Sequence, residues 1–183
     1  MDEIQTRLGR VGAPTASDLY GVVPDMITLG KGLAGGLPAS AVIAASNIGR
    51  DLEPGSIGTT FGGGPVVCAA IEACIQEIRQ NKLWEHAARL EAAFRAGLDV
   101  PGVLGVRGVL GVRGRGLLLG IELDRPAATV RDQLFEHNII VGTCADSRVI
   151  RLVPPLVLTH SDVTCFTKAI RQILSADRPR VKP

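Results

Sequence analysis

The sequence predicts an α/β chain in two parts, and three observations predict it. The 183 residues are 46% hydrophobic and 21% charged, which excludes a disordered chain and permits a sizeable core. Residues 1–82 set short apolar runs against glycine-rich loops, the pattern of strands that end in a loop-built site. Residues 83–175 alternate helical and strand-like segments in an α+β pattern, and 176–183 form a polar tail expected to fray.

Taken in order, Thr6 to Pro24 is broken by Gly9, Gly12, Pro14 and Gly21 and reads as mostly loop. Met26 to Leu29 is short, apolar and β-leaning, so a buried strand is expected. Lys31 to Pro38 is a glycine-rich loop, and Ala39 to Ala45 a second strand. Pro54 to Gly64 is another glycine-punctuated loop, and Pro65 opens a helix reaching Gln80. In that helix Val67, Ile71, Cys74, Ile75 and Ile78 form one apolar stripe. A second helix is expected from Leu83 to Leu98, a strand over Leu117 to Leu123, and a helix over Ala127 to His137. Strands follow at Ile139 to Val141 and Val149 to Val153, then a helix capped by Ser161 and reaching Leu174. The hexapeptide Gly102 to Arg107 recurs at once as Gly108 to Arg113, read as a duplication that lengthens a surface connection.

Composition narrows the function. Twenty basic against eighteen acidic residues leave no electrostatic footprint for nucleic acid or an anionic membrane, and 3% aromatics offer no stacking platform for bases. No apolar run reaches the ~18 residues that span a bilayer, and the acidic Met1-Asp2-Glu3 is unlike the basic start of a secretory signal. Cys68, Cys74, Cys144 and Cys165 have no metal-ligand spacing and His86, His137 and His160 are scattered, so no metal site is expected. The cysteines are read as buried thiols of a cytoplasmic protein.

Four segments could carry chemistry. Gly30-Lys31-Gly32-Leu33-Ala34-Gly35 matches the dinucleotide fingerprint, but Gly36 and Pro38 break the helix that fingerprint needs. A lysine between two glycines at a strand end is sterically accessible, and partial desolvation would make it nucleophilic toward carbonyls; a solvated loop lysine is the plainer alternative. In Asp2-Glu3-Ile4-Gln5, a strand-end Asp2 could keep a pyridinium nitrogen protonated and Gln5 could bond a ring hydroxyl, although acidic starts are common. Thr59-Thr60-Phe61-Gly62-Gly63-Gly64-Pro65 joins hydroxyls to a helix start suited to phosphate, or is an ordinary capped loop. Arg151, within Val149 to Pro155, either clamps a carboxylate or lies on the exposed face of an alternating strand.

These segments, with Gly9-Arg10-Val11-Gly12, Pro24-Asp25 and Arg113-Gly114-Arg115-Gly116-Leu117, resemble the ordered motifs of the class III pyridoxal-phosphate aminotransferases, and among them most nearly those acting on acetylornithine. The resemblance implies fold type I: the later part of a large cofactor-binding domain over 1–82, then a small α+β domain over 83–175. It implies pyridoxal 5'-phosphate bound covalently at Lys31, whose amine then shuttles the substrate proton. It implies Asp2 on the pyridine nitrogen, Gln5 on the ring hydroxyl, Thr60 on the phosphate held by a second subunit of a homodimer, Thr59 beside the substrate and Arg151 on a substrate carboxylate. The reaction implied is ping-pong transfer of an ω-amino group from N-acetylornithine to 2-oxoglutarate, in arginine biosynthesis. Ornithine, succinylornithine and 4-aminobutyrate are alternative donors, and a non-catalytic remnant is the rival from another class. Gly64 stands where the family has asparagine. The resemblance covers the C-terminal half of such enzymes, so the chain is read as a fragment with little turnover alone.

Overall fold

In the computed structural model, residues 1–50, 52–53, 55–98 and 106–176 are described. They form two compact units that divide between Glu85 and His86.

The first unit is organised by one strand. Strand β1, Met26–Leu29, pairs antiparallel with β2, Ala41–Ala44, in register Met26 to Ala44 and Leu29 to Ala41. On the other side of β1 the first residues of the chain run parallel: Asp2 bridges Thr28, Glu3 N–H donates to Thr28 O at 3.1 Å, and Thr28 N–H donates to Met1 O at 3.1 Å. Helix α1, Ala16–Tyr20, interrupts the stretch expected to be loop. It forms because Thr15 caps it, its hydroxyl accepting from Asp18 N–H, while Gly21 at φ +65° ends it. A 3₁₀ helix, Lys31–Ala34, follows β1 and buries Leu33 and Ala34. The antiparallel β1–β2 pair leaves no βαβ crossover, so the glycine fingerprint here is not a dinucleotide loop.

A short helix α2, Ser46–Gly49, precedes the long loop to α3, Pro65–Gln80. The half-buried positions of α3 are Val67, Ala70, Ile71, Cys74, Ile75 and Ile78, the stripe expected from periodicity plus one alanine. That face meets the 3₁₀ segment so closely that a Cβ on Gly35, itself at φ +62°, would lie 3.0 Å from Cys74 Sγ. β1 is only in part the buried strand expected: Leu29 is 5% exposed but Met26 43%. Val42 on β2 is 60% exposed, and β2 has β1 as its sole strand partner among the described residues. The thiols also differ from expectation: all four cysteines are free, Cys68, Cys144 and Cys165 are exposed, and Cys74 is half-buried.

The second unit is an antiparallel sheet with helices on one face. Its order is β3 (Val109–Arg115), β4 (Leu118–Leu123), β6 (Val149–Leu152), β5 (Gly142–Thr143). Helices α4 (Leu83–Leu98), α5 (Ala127–Glu136) and α6 (His160–Ala176) supply the other side of the core. Ala87, Leu90, Phe94 and Leu98 recur at helical spacing along α4 and are buried, as are Ile121, Leu123, Ile150, Val130, Leu134 and Ile170. Phe94 meets Phe166 edge-on, centroids 5.7 Å apart. Helices α4 and α6 touch at Gly97, where a Cβ would lie 2.6 Å from Thr167 Cγ2.

Three expectations are corrected here. The second hexapeptide is not a surface extension: Val109 to Arg113 lies in β3, paired with β4, and Val112 is in the core. Arg95 on α4 secures that strand by donating to Val112 O at 2.7 Å and Gly114 O at 2.8 Å. Residues 102–105 of the first copy lie outside the described residues, as does 177–183 of the expected tail. Ile139 to Val141 is not a strand, because the chain leaves α5 through Asn138 at φ +60° and Ile139 N–H turns back to Leu134 O, 3.0 Å. The cap of α6 is Thr159 rather than Ser161. Thr159 Oγ1 accepts from Asp162 N–H at 3.2 Å, and Asp162 Oδ2 accepts from Thr159 N–H at 2.9 Å.

Candidate active site

In the first unit, β1 brings Asp2 and Lys31 to neighbouring stretches of backbone. Asp2 lies across from Thr28, and Lys31 follows three residues later, about 10 Å of extended chain at ~3.3 Å per residue. Asp2 is exposed, and its Oδ1 accepts from Ile4 N–H at 2.9 Å and from the Thr28 hydroxyl at 3.3 Å. Its Oδ2 carries no hydrogen bond among the described residues. Lys31 is exposed rather than partly desolvated, and its backbone sits at φ +49°, a left-handed conformation uncommon for a residue with a side chain. A Cβ on Gly32 would meet nothing within 4 Å, so the space beside the lysine is open. A Cβ on Gly30 would meet Ile4 Cγ2 at 3.5 Å, so Ile4 packs over the backbone just before the lysine. Gln5 is half-buried in the turn that follows the paired residues.

Glu3, which sequence reasoning passed over, is the anchor of this arrangement. It is 1% exposed. Its Oε1 accepts from Ser17 N–H and the Ser17 hydroxyl, each at 2.7 Å, and its Oε2 from Ala16 N–H at 3.0 Å and the Thr6 hydroxyl. Burial raises its pKa, but the bonds from Thr6, Ser17 and Ala16 outweigh burial and hold the carboxyl below the ordinary glutamate range. No local pattern marks Glu3, since two of its partners, Ala16 and Ser17, reach it only through the fold.

Thr59 and Thr60 stay exposed in the loop before α3, with no hydrogen bond to Asp2, Gln5 or Lys31 among the described residues. Gly62 N–H donates to Thr59 Oγ1 at 3.3 Å, and the turn is tight enough that a Cβ on Gly62 would lie 2.1 Å from Thr59 Cγ2. No side chain caps α3, whose first residue is Pro65.

Arg151 belongs to the second unit, on the sheet face away from the helices. Register puts Arg113, Gly120, Arg151 and Gly142 in one cross-strand row, two arginines alternating with two glycines. They differ in electrostatics. Arg113 Nη2 lies 3.0 Å from Glu122 Oε2 and 3.5 Å from Asp146 Oδ2, whereas Arg151 makes no ion pair among the described residues. Arg151 also borders a cleft of about 620 Å³ walled mainly by apolar residues, Ile139, Val141, Val153 and Leu158 among them. Of the two sequence readings, the exposed strand face is the observed one, and it leaves this guanidinium open to an anion.

Among the described residues no group of three His, Cys, Asp or Glu could hold a metal ion, and no helix is long and apolar enough to cross a membrane.

The family Aminotransferase class-III matches residues 1–174, and the chain belongs to that family. It is 41% identical to acetylornithine aminotransferase 1 of Bordetella bronchiseptica, over 96% of this chain and 45% of that protein. Its fold superposes on the crystal structure of acetylornithine aminotransferase from Elizabethkingia anophelis with TM-score 0.83 and 32% identity, covering 95% of this chain and 44% of that one. Ornithine aminotransferase from Toxoplasma gondii gives TM-score 0.82 and 35% identity, covering 96% and 42%. The chain thus spans less than half the length of these relatives and holds part of the larger aminotransferase fold.

Proposed function

We propose that this chain carries the lysine-bearing part of a pyridoxal 5'-phosphate-dependent active site that transfers an ω-amino group from N-acetylornithine to 2-oxoglutarate. The observation that carries the reading is the pairing of residues 1–3 with β1, which sets Asp2, with an open carboxylate oxygen, beside the strand that ends two residues before Lys31. These residues fit the cofactor: the open oxygen suits a ring N–H⁺, and the glycines flanking Lys31 leave its amine approachable.

Pyridoxal phosphate, when bound, draws electrons from the carbon bearing the amino group and so acidifies its C–H bond. Lys31 Nζ holds that proton and moves it. Asp2 accepts from the ring N–H and stabilises its positive charge, and the Gln5 amide bonds the ring hydroxyl. Thr60 donates its hydroxyl to a phosphate oxygen, that of a second subunit in a homodimer, and Thr59 lines the substrate. Arg151 binds a substrate carboxylate; Arg113 is already neutralised and does not compete. Similarity to ornithine aminotransferase at nearly the same TM-score supports ornithine as the second candidate donor. The acetylornithine reading places the reaction in arginine biosynthesis, and exposed free thiols suit the reducing cytoplasm.

The test is covalent labelling. Incubation with pyridoxal 5'-phosphate followed by borohydride reduction is expected to leave the pyridoxyl group on the peptide containing Lys31. Label confined to Lys82 or Lys168 would overturn the assignment.

A further inference from the structure

We infer that Thr28 and Glu3 are positioning residues for Asp2, which hold its carboxylate so that one oxygen stays free for a ring cation. The ligand part rests on the proposed function above. Both hydrogen bonds received by Asp2 converge on Oδ1, one from Ile4 N–H and one from the Thr28 hydroxyl. Because both donors share one oxygen, the other oxygen of the carboxylate is left without a hydrogen bond among the described residues, whichever of the two equivalent oxygens takes the bonded place.

Glu3 holds the backbone that carries this carboxylate. A buried carboxylate is costly unless its lone pairs are used, and here four donors use them without any cation. Releasing residues 1–3 from β1 would strip Ala16 and Ser17 of their N–H partners as well as the strand bond from Glu3 N–H to Thr28 O. Glu3 therefore couples the start of α1 to the strand, and alternation turns Asp2 to the face of Thr28. Thr28 sits on β1, three residues before Lys31, so one strand sets the positions of the open oxygen and the lysine together.

The test uses the full chain with Thr28→Val, Thr28→Ser and Glu3→Gln, read by amide hydrogen exchange without ligand and by titration with pyridoxal 5'-phosphate. Thr28→Val is expected to speed exchange at Ile4 and to weaken cofactor binding, each about fivefold, the yield of one ordinary hydrogen bond. Thr28→Ser, which keeps the hydroxyl, should restore both to within about twofold. Glu3→Gln should speed exchange at Ala16 and Ser17 and also at Ile4. Unchanged Ile4 exchange in Thr28→Val, or a Glu3→Gln effect confined to Ala16 and Ser17, would overturn the positioning roles. If the unaltered chain takes up no pyridoxal phosphate, the ring-cation part fails with the proposed function, while Ile4 exchange in the same samples still decides the positioning part.

Discussion

Arg151 lies directly across from Gly142 in the β5–β6 pair, and a Cβ at position 142 would stand 3.3 Å from its Nε and 3.4 Å from its Nη2. The missing side chain is what lets the guanidinium lie over the edge strand. Gly142→Ala forces the arginine to move by a few tenths of an ångström, and because that side chain is flexible and exposed the fold absorbs it. Stability should change by no more than ~0.5 kcal/mol, the usual range for a surface substitution. Binding of 2-oxoglutarate, followed by calorimetry on the assembled enzyme, should weaken several-fold. An unchanged affinity would separate Arg151 from carboxylate binding.

The α4–α6 crossing gives a sharper result. Gly97→Ala places a methyl 2.6 Å from Cγ2 of the buried, branched Thr167. Overpacking of this kind costs ~1–3 kcal/mol, which outweighs the ~1 kcal/mol that alanine gains over glycine in a helix. Thr167→Ser removes the obstructing methyl and keeps the hydroxyl that donates to Thr164 O at 3.1 Å. The double variant should therefore recover most of the loss in chemical denaturation, a coupling that independent sites would not show.

Acid should loosen the first unit at Glu3. Its carboxyl is held below the ordinary glutamate value, so its contribution is fully present above the unfolded pKa of about 4.3 and is lost as pH falls through the lower folded value. Exchange at Ala16 and Ser17 should accelerate over that window, and Glu3→Gln should show no such pH step there. A step of equal size in Glu3→Gln would assign the acid sensitivity to another carboxylate.

Much of the architecture was legible because periodicity and punctuation agreed. Pro65 marks the start of α3, its apolar stripe is the face that packs, and α4 runs from Leu83 to Leu98 as its pattern indicates. The candidate site residues were chosen by residue type at motif spacing, and of their positions the structure places Asp2 across from β1, Lys31 just after β1 and Arg151 on its expected strand. What escaped was set by tertiary contact. β3 reads as loop because its glycines break any period-two pattern, and pairing to β4 with the Arg95 bonds decides it instead. Glu3 looked like one more acid near the start of the chain; only the fold of the chain between brings Ala16 and Ser17, 13 and 14 positions away, to it. The cysteines look like core residues by type, yet helix faces and loop positions leave three of them at the surface.

The alternating row on the bare sheet face also acts at a distance. Arg113 and Arg151 are two strand spacings apart, about 10 Å, close to one Debye length at ~0.1 M salt. Glu122 and Asp146, which face Arg148 as well as Arg113, balance those two arginines, so the potential across this face rises toward the β5 edge instead of spreading evenly. An approaching dianion meets a slope that ends at a single guanidinium, and its capture rate should fall as salt flattens that slope.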